Sequence, residues 1–286
     1  MQVDTILERM LFTTVRITTT TPTGGGGLGT GFVFTAPMPA LGGGKGGGKG
    51  GVAMVLVTNK HVVHGQARAV LHFIAADETT ASPNLGAEIS VGVDPASFVG
   101  HPDPNIDVAI LPLGGLIDQL RAAGRTPFFT HVDAASAATP EVLAEYEPIE
   151  PITFIGYPNG LYDSGSLLPI ARRGHSATAL NVDYEGKPIF LVDASVFPGS
   201  SGSPVFLFVP ASTADKFGNI TLGGGAKVVF LGVVAAVYQR AVPVLQTPTA
   251  GDQFVHDALD IGIVYKASTV VELVNQVITQ QGEGSA

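Results

Sequence analysis

The sequence predicts an all-β fold, a sandwich or a barrel, with a C-terminal amphipathic helix. Short segments rich in Val, Ile, Thr and Phe recur along the 286 residues, and Gly, Pro, Asn or Asp separate them. Such strands with turn signals between them are typical of sandwiches and barrels, and regular helices do not alternate with them as in a parallel α/β sheet. The predicted strands are residues 13–20, 31–36, 52–59, 67–75, 107–113, 151–158, 189–197, 203–209, 228–238 and 261–267.

Two stretches outside these strands predict helices. In residues 268–280, Thr269 followed by Glu272 fits a capping box, and apolar residues recur at helical spacing. The predicted apolar face consists of Val270, Val271, Val274, Val277 and Ile278. A weaker helical pattern covers residues 115–123 and 140–146. These two segments lie in a long connection between two sets of strands, and we place the boundary between the two halves there.

Composition excludes several classes of protein. The chain has no cysteine, which rules out disulfides, a thiolate zinc site and a thiol nucleophile, and which fits a reducing compartment. Its net charge is −9, and no cluster of basic residues exceeds the pair Arg172–Arg173, so we expect no nucleic-acid partner. The longest mostly apolar stretch, residues 228–238, is too short to cross a bilayer, and the N-terminus lacks a secretory pattern. A cytoplasmic location without membrane contact is therefore expected.

Two glycine-rich stretches interrupt the first half. Residues 21–31 lead directly into a predicted strand. Residues 41–52 form a Gly/Lys insert of low complexity, for which we expect no fixed structure. The insert does not indicate a phosphate-binding loop, because no GK[ST] follows it and no helix begins there.

A candidate nucleophile, Ser201, lies in the segment FPGSSGSPVF. A serine hydroxyl reacts only when a base takes its proton and donors stabilise the resulting oxyanion. The Gly and Pro residues suit a bend that points backbone N–H groups inward, so the amides of Gly199 and Ser201 would form an oxyanion hole. An ordinary turn is the alternative for this segment alone. The α/β-hydrolase elbow is excluded, because position 203 is Ser and a strand follows.

Two further segments supply a base and a carboxylate. His61 ends a predicted strand in TNKHVVHG, where a base would be held rigidly, and His64 is its rival. Asp107 opens the apolar strand DVAILPL, where its carboxylate could accept the imidazole N–H and fix its tautomer. Asp103 fits an ordinary turn residue better. In the chain order His, Asp, Ser, the three predict a catalytic triad in a cleft between two sets of strands.

Together these motifs resemble those of trypsin-like serine peptidases. TNKHVV is similar to the family's strand-end His motif, and NIDVAIL to its Asp-[IV]-Ala-[LI]-Leu motif. DASVFPGSSGSPV resembles the nucleophile segment of disulfide-free, HtrA-like bacterial members. GTGFVFT, FIGYP, LGVVAAVY and IGIVYKAST are similar to other strands of the family, so the resemblance spans most of residues 11–280. It concerns the protease module, without the PDZ domain typical of HtrA proteins.

The resemblance implies two six-stranded antiparallel β-barrels of the chymotrypsin-like type and a C-terminal α-helix. The implied parts are an N-terminal barrel at residues 1–115, a connection at 116–150, a C-terminal barrel at 151–267 and a helix at 268–281. His61 and Asp107 would lie in the first barrel and Ser201 in the second, with the active site in the cleft between them.

The resemblance also implies a serine endopeptidase that acts on a protein or peptide substrate through an acyl-enzyme, with no cofactor and no metal. His61 would deprotonate Ser201 and then protonate the leaving amine, while Asp107 would orient His61. Ser203 replaces the second Gly of the common G-D-S-G-G pattern. Ser200 stands where trypsin-like enzymes carry an Asp that pairs with a freshly cut N-terminus, so we expect no proteolytic activation, and regulation would be conformational or exerted by a protein partner. The alternative function is a latent or inactive protease fold that serves as a binding or scaffold module.

Four residues align with the family's primary specificity pocket: Ser195, Ala235, Ala236 and Val237. Ser195 would form the pocket floor, and because it is neutral, Arg or Lys at the cleavage position is disfavoured. The other three align with the pocket wall, where a side chain at Val237 would narrow the space. We therefore expect a preference for small or medium aliphatic residues. Asp193 is assigned a structural role, with Arg172 or Arg173 as its partner.

Overall fold

The computed structural model describes residues 1–39, 50–214, 220–221, 225–243 and 254–283. Within these ranges it describes the backbone but not the side chains of residues 213–214, 220–221, 236–243, 254–259 and 281–283. The predicted Gly/Lys insert lies almost wholly outside the described residues.

The secondary structure is dominated by strands. The strands of the N-terminal half are β1 (Thr14–Thr20), β2 (Gly26–Pro37), β3 (Val52–Thr58), β4 (Arg68–Ala76), β5 (Pro83–Val93), β6 (Val99–Gly100), β7 (Ala109–Pro112), β8 (Pro127–Phe128) and β9 (Val132–Asp133). Those of the C-terminal half are β10 (Pro151–Gly156), β11 (Ile170–Ser176), β12 (Ile189–Asp193), β13 (Pro204–Val209), β14 (Thr213–Ala214), β15 (Ile220–Thr221), β16 (Lys227–Pro243) and β17 (Phe254–Lys266). The helices are α1 (Ile6–Leu11), α2 (Lys60–Val63), α3 (Gly114–Ala122), α4 (Pro140–Leu143) and α5 (Ala267–Glu283).

The N-terminal strands form one sheet in the order β5-β4-β1-β2-β3-β7-β6, with the short strands β8 and β9 attached to β4 and β2. All neighbours along this order are antiparallel, and only β9 runs parallel to its partner. Alternate residues of a strand face the same side of a sheet, and those that face inward here are apolar. The core of this half includes Ile17, Val33, Leu56, Leu71, Leu113 and Ile117.

The C-terminal strands close into a barrel in the order β10-β11-β12-β17-β16-β13. Its interior is filled by apolar side chains that include Phe154, Phe190, Val205, Leu207, Leu231 and Val264. The all-β, chymotrypsin-like fold with a C-terminal helix is confirmed. In detail, the second half is the closed six-stranded barrel. The first half is a sheet of nine strands and not of the predicted six, because the two-residue strand β6 extends its edge and β8 and β9, from the predicted connection, pair with β4 and β2.

A third apolar cluster joins the two halves beneath α5. Phe32 and Phe34 of β2 meet Phe230 of β16, with ring centroids 5.3 Å and 5.9 Å apart. The side chains of α5 that bury themselves against this cluster are Val270, Leu273, Val274, Val277 and Ile278. The predicted apolar face is therefore confirmed, with Leu273 added to it and Val271 only partly buried.

The predicted capping box of the C-terminal helix is wrong. The helix begins at Ala267, so Thr269 lies inside its first turn, where its hydroxyl donates to the Lys266 carbonyl at 2.8 Å. The weaker helical predictions are confirmed as α3 and α4. Among the described residues, no helix combines the length and the apolar character needed to span a membrane.

Candidate active site

Two hydrogen bonds join His61 to Asp107. The imidazole Nδ1 lies 2.5 Å from Asp107 Oδ2, and the backbone N–H of His61 donates to Asp107 Oδ1 at 3.0 Å. A carboxylate only accepts hydrogen bonds, so Nδ1 carries the proton of the neutral ring and Nε2 is left as the base. The His61 side chain is half exposed and Asp107 is 26% exposed. Asp107 therefore holds both the ring and the backbone of His61.

The segment around Asp107 is fixed from both halves of the molecule. The buried Asn59 donates its Nδ2 to the Asp107 carbonyl at 2.5 Å. From β17, the Tyr265 hydroxyl donates to the Asn105 carbonyl at 2.7 Å. Burial raises the pKa of Tyr265, which keeps the hydroxyl protonated as a donor. The backbone that carries the Asp107 side chain is thus held by contacts with both halves of the molecule.

Ser201 lies on a tight loop that joins β12 to β13. Gly199 and Gly202 on either side of it have φ angles of +86° and +88°, a region that favours glycine. The Ser200 N–H donates to the Phe197 carbonyl at 2.9 Å, and the Gly202 N–H donates to the Val234 carbonyl at 2.8 Å. The first bond closes a turn within the loop, and the second attaches the loop to β16.

The Ser201 hydroxyl donates to the Ala235 carbonyl at 2.9 Å. In the described part of the chain, no hydrogen bond joins it to His61, so the predicted contact between base and nucleophile is not formed in this structure. The backbone N–H groups of Gly199 and Ser201 have no hydrogen-bond acceptor among the described residues. Both amides of the predicted oxyanion hole are therefore available to a ligand.

Two neighbouring residues of β2 contact the His61 helix and the Ser201 loop: Gly29 meets the helix and Thr30 meets the loop. A Cβ on Gly29 would lie 2.4 Å from Val62 Cγ1, directly after His61. The Thr30 N–H donates to the Ser201 carbonyl at 2.8 Å. The structure thus brings the segments of all three predicted residues together where the N-terminal and C-terminal halves meet.

A family profile described as the trypsin-like peptidase domain matches residues 29–208, which is more than half of the chain. The chain belongs to this family. The match contains the segments of His61, Asp107 and Ser201, and the chain is a trypsin-like serine endopeptidase.

Solved structures similar to this peptidase include a protease of M. tuberculosis and a collagenase. The Rv3671c protease of M. tuberculosis in its active form is 19% identical, with a TM-score of 0.44 over 94% of this chain and 82% of that chain. Its inactive form is 20% identical, with a TM-score of 0.44 over 95% and 91% of the two chains. HL collagenase is 11% identical, with a TM-score of 0.46 over 94% and 95%. No curated protein sequence matches this peptidase.

The predicted pocket residues of the peptidase are placed only in part. Ser195 is half-buried on the segment before the nucleophile loop, and Ala235 is buried on β16. The side chains of Ala236 and Val237 lie outside the described residues, although their backbone pairs with Ile263 and Gly262 of β17.

The expected pairing of Asp193 with Arg172 or Arg173 is not found among the described ion pairs. Arg172 instead donates to the carbonyl of Ser195. Its guanidinium carbon lies 4.9 Å from the ring centroid of Phe197, so the side chain also packs on an aromatic face. Arg172 therefore supports the segment that leads into the nucleophile loop, because this segment offers its guanidinium a carbonyl acceptor and a flat ring surface.

The two serines beside the nucleophile, Ser200 and Ser203, differ from the pattern common in the family, and both are buried. They are 1% and 0% exposed, and neither hydroxyl has a hydrogen-bond partner among the described residues. Ser203 Oγ faces Gly156, where a Cβ would lie 2.0 Å away. A side chain at position 156 and the Ser203 hydroxyl are therefore mutually exclusive.

Three residues of the site were not found by sequence reasoning: Thr30, Asn59 and Tyr265. The side chain of each donates a hydrogen bond to a backbone carbonyl of the site, and many polar residue types could play such a role, so residue type alone does not reveal it. Thr30 has the one usable signal, since it stands between two glycines in the GTG motif. In the described ranges, no group of three or more His, Asp or Glu side chains could hold a metal ion.

Gly202→Ala should strongly destabilise the peptidase. A Cβ at this position would lie 1.8 Å from the Thr30 carbonyl oxygen, and the φ of +88° disfavours any L side chain. We expect the free energy of unfolding to fall by about 3 kcal/mol in urea denaturation. The matched control is Gly115→Ala in α3, where a Cβ would meet no heavy atom within 4 Å, and which should be neutral or stabilising. Equal stability of the two variants would contradict this packing.

Proposed function

We propose that this peptidase hydrolyses peptide bonds with His61, Asp107 and Ser201 as a catalytic triad. The observation that carries the proposal is the pair of hydrogen bonds between Asp107 and His61, which leaves Nε2 as the free base. A base needs this orientation to take a proton from a serine hydroxyl. The two unengaged amides at Gly199 and Ser201 support the same role for the loop.

In the acylation step, Ser201 Oγ attacks the carbonyl carbon of the scissile bond, and its proton passes to His61 Nε2. The negative charge on the former carbonyl oxygen is stabilised by the N–H groups of Gly199 and Ser201. The C–N bond then breaks, and His61 returns the proton to the leaving amine. Water hydrolyses the acyl-enzyme by the reverse sequence of proton transfers, and Asp107 stabilises the imidazolium in both halves of the reaction.

The Ser201 hydroxyl must leave the Ala235 carbonyl before it reacts. Rotation about the Cα–Cβ bond of Ser201 moves the hydroxyl from one staggered position to another and breaks only one hydrogen bond. The hydrogen bond to Ala235 costs little to break, of the order of 1 kcal/mol. Its presence in the free protein is therefore compatible with catalysis.

The proposed specificity is for small or medium aliphatic residues on the acyl side of the cleaved bond. It is supported by the neutral Ser195 and by Ala235, which is buried beside the nucleophile. A cytoplasmic location and control by a protein partner are further proposals that follow from the cysteine-free composition and from Ser200.

Cleavage of a peptide library by the purified protein tests this function, with Ser201→Ala as the matched control. We expect the wild type to cleave after Ala, Val or Leu. The cleavage rate of the variant should not exceed about 10⁻⁴ of the wild-type rate. Cleavage by both proteins would refute Ser201 as the nucleophile. Absence of cleavage by the wild type at every sequence tested would favour the alternative, a protease fold that serves as a binding module.

A further inference from the structure

Thr30 uses every polar atom it has to connect parts of the active site. It is 0% exposed on β2. Its N–H donates to the Ser201 carbonyl, and its own carbonyl accepts from Thr58 Oγ1, both at 2.8 Å. Its hydroxyl donates to the Gly199 carbonyl at 2.8 Å and accepts from the Tyr157 N–H at 3.1 Å. The buried side chain of Thr30 therefore joins two segments of the C-terminal half to β2 of the N-terminal half.

The contact with Gly199 fixes the peptide that lies between the two amides of the oxyanion hole. Because a trans peptide is planar, holding a carbonyl also orients the N–H on the opposite side of the same plane. The Gly199 N–H shares a peptide with the Pro198 carbonyl, which accepts from Asn159 N–H at 2.5 Å. The Ser201 N–H shares a peptide with the Ser200 carbonyl, which accepts from Ser203 N–H at 3.0 Å. The peptide between these two is held on both sides: Thr30 binds its carbonyl, and its N–H, that of Ser200, donates to Phe197.

Thr30 also positions the outer support of this loop. In the turn at residues 157–160, the Asn159 N–H donates to the Pro198 carbonyl. This turn begins at Tyr157, whose N–H donates to the Thr30 hydroxyl. A Cβ on Gly199 would lie 2.4 Å from the Tyr157 carbonyl oxygen, so turn and loop are in direct contact. The hydroxyl of Thr30 thus bonds both to the loop and to the turn that supports it.

On its other side, Thr30 is linked to the general base. Thr58, which donates to the Thr30 carbonyl, is the last residue of β3 and lies three positions before His61. A Cβ on Gly156 would lie 2.7 Å from Thr30 Oγ1, so the space around the hydroxyl is closed. The branched side chain has few alternative rotamers in such a space.

We propose that Thr30 is the positioning residue of the oxyanion hole, and that its hydroxyl sets the direction of the Gly199 and Ser201 amides relative to the strand that leads to His61. The inference rests on the proposed function, because an oxyanion hole has a role only if Ser201 is the nucleophile. Thr30 touches no reacting atom. It acts through the backbone of the loop.

Thr30→Val and Thr30→Ser separate this role from general packing. Valine keeps the shape of threonine but loses the hydroxyl, and serine keeps the hydroxyl but loses the methyl group. With a peptide substrate, we expect Thr30→Val to lower kcat about 100-fold, with KM within about threefold of wild type, because the amides act on the transition state. Thr30→Ser should retain kcat within about fivefold. Thr35→Val, which replaces a buried threonine on the same strand without these contacts, is the matched control.

A second readout does not depend on activity. Hydrogen–deuterium exchange of peptides that cover residues 197–203 should be about tenfold faster in Thr30→Val than in wild type, and unchanged in Thr30→Ser and Thr35→Val.

A third readout is inhibition by a peptide aldehyde, whose serine adduct places an oxyanion in the hole. Its inhibition constant should rise in Thr30→Val by the same factor as kcat falls.

Equal losses of kcat in the valine and serine variants would overturn the proposal, because packing and not the hydroxyl would then be responsible. Unchanged exchange at residues 197–203 in Thr30→Val would overturn it as well. If wild type hydrolyses nothing but the exchange difference is found, the fixation of the loop by Thr30 is supported and the proposed peptidase mechanism is what fails.

Discussion

Replacing His61 with alanine should lower kcat for peptide hydrolysis by about 10⁶-fold, the scale seen when a triad loses its base. Asp107 orients His61 through one hydrogen bond to the imidazole and one to its backbone N–H, and the proposed mechanism gives the Ser201 hydroxyl no base other than this imidazole. Steady-state kinetics with a peptide found in the library would measure the effect. Circular dichroism and urea denaturation would show that the variant is folded, which is expected because the His61 side chain is half exposed.

His64→Ala is the matched control for that experiment. His64 lies three residues later, exposed at the end of α2, and its ring packs against Gly100 and not against Asp107. Its replacement should change kcat by less than about threefold, as for an ordinary surface substitution. A loss of activity confined to His64→Ala would transfer the role of base to that residue and contradict the proposed triad.

Asp107→Asn should lower kcat about 10⁴-fold with little change in KM. The amide would keep the shape of the carboxylate, but its NH2 group can donate to Nδ1, and the ring would then carry its proton on Nε2, where it cannot act as a base. The Asn59 bond to the backbone carbonyl at position 107 is unaffected by the change, so the loop should keep its place.

Asp103→Asn controls for the loss of one negative charge from the same loop. Among the described residues, the Asp103 carboxylate accepts hydrogen bonds only from Asn105 within its own turn. The backbone carbonyl of Asp103, not its carboxylate, accepts from Lys60. We expect kcat within about threefold of wild type. Equal effects of the two substitutions would show that loop charge, and not the orientation of His61, is what the carboxylate provides.

The sequence predicts the fold class because its strands are bounded by strong turn signals and because apolar residues face inward in both halves. Of the strands that the structure describes, the prediction missed β5 and β11, besides five of only two residues each. β5 and β11 are rich in polar residues and glycine, so their pairing is set by neighbouring strands and not by local pattern. The capping box failed for a related reason. The Lys266 N–H donates to the Pro188 carbonyl at the end of β17, and the helix begins directly after it at Ala267, three residues earlier than an N-cap at Thr269 requires.

The proposed triad could be chosen from the sequence residue by residue, because His61, Asp107 and Ser201 each stand in a distinctive motif. Their mutual placement was not, since it depends on contacts between segments far apart in the chain. Thr30 is the clearest case. Its hydroxyl bonds to Gly199, 169 positions later, and to Tyr157, 127 positions later, and no periodicity or spacing encodes such pairs. The resting position of the Ser201 hydroxyl at Ala235 is likewise a property of the folded loop alone.

The most direct test of the account is to locate the covalent adduct of a fluorophosphonate by peptide mass spectrometry, in wild type and in His61→Ala. Activation of a serine by a neighbouring base is what such a reagent detects. We predict a single adduct on Ser201 in wild type, and a loss of most of that labelling in His61→Ala. An adduct on another residue, or equal labelling of Ser201 without the imidazole, would contradict the claim that His61 activates Ser201.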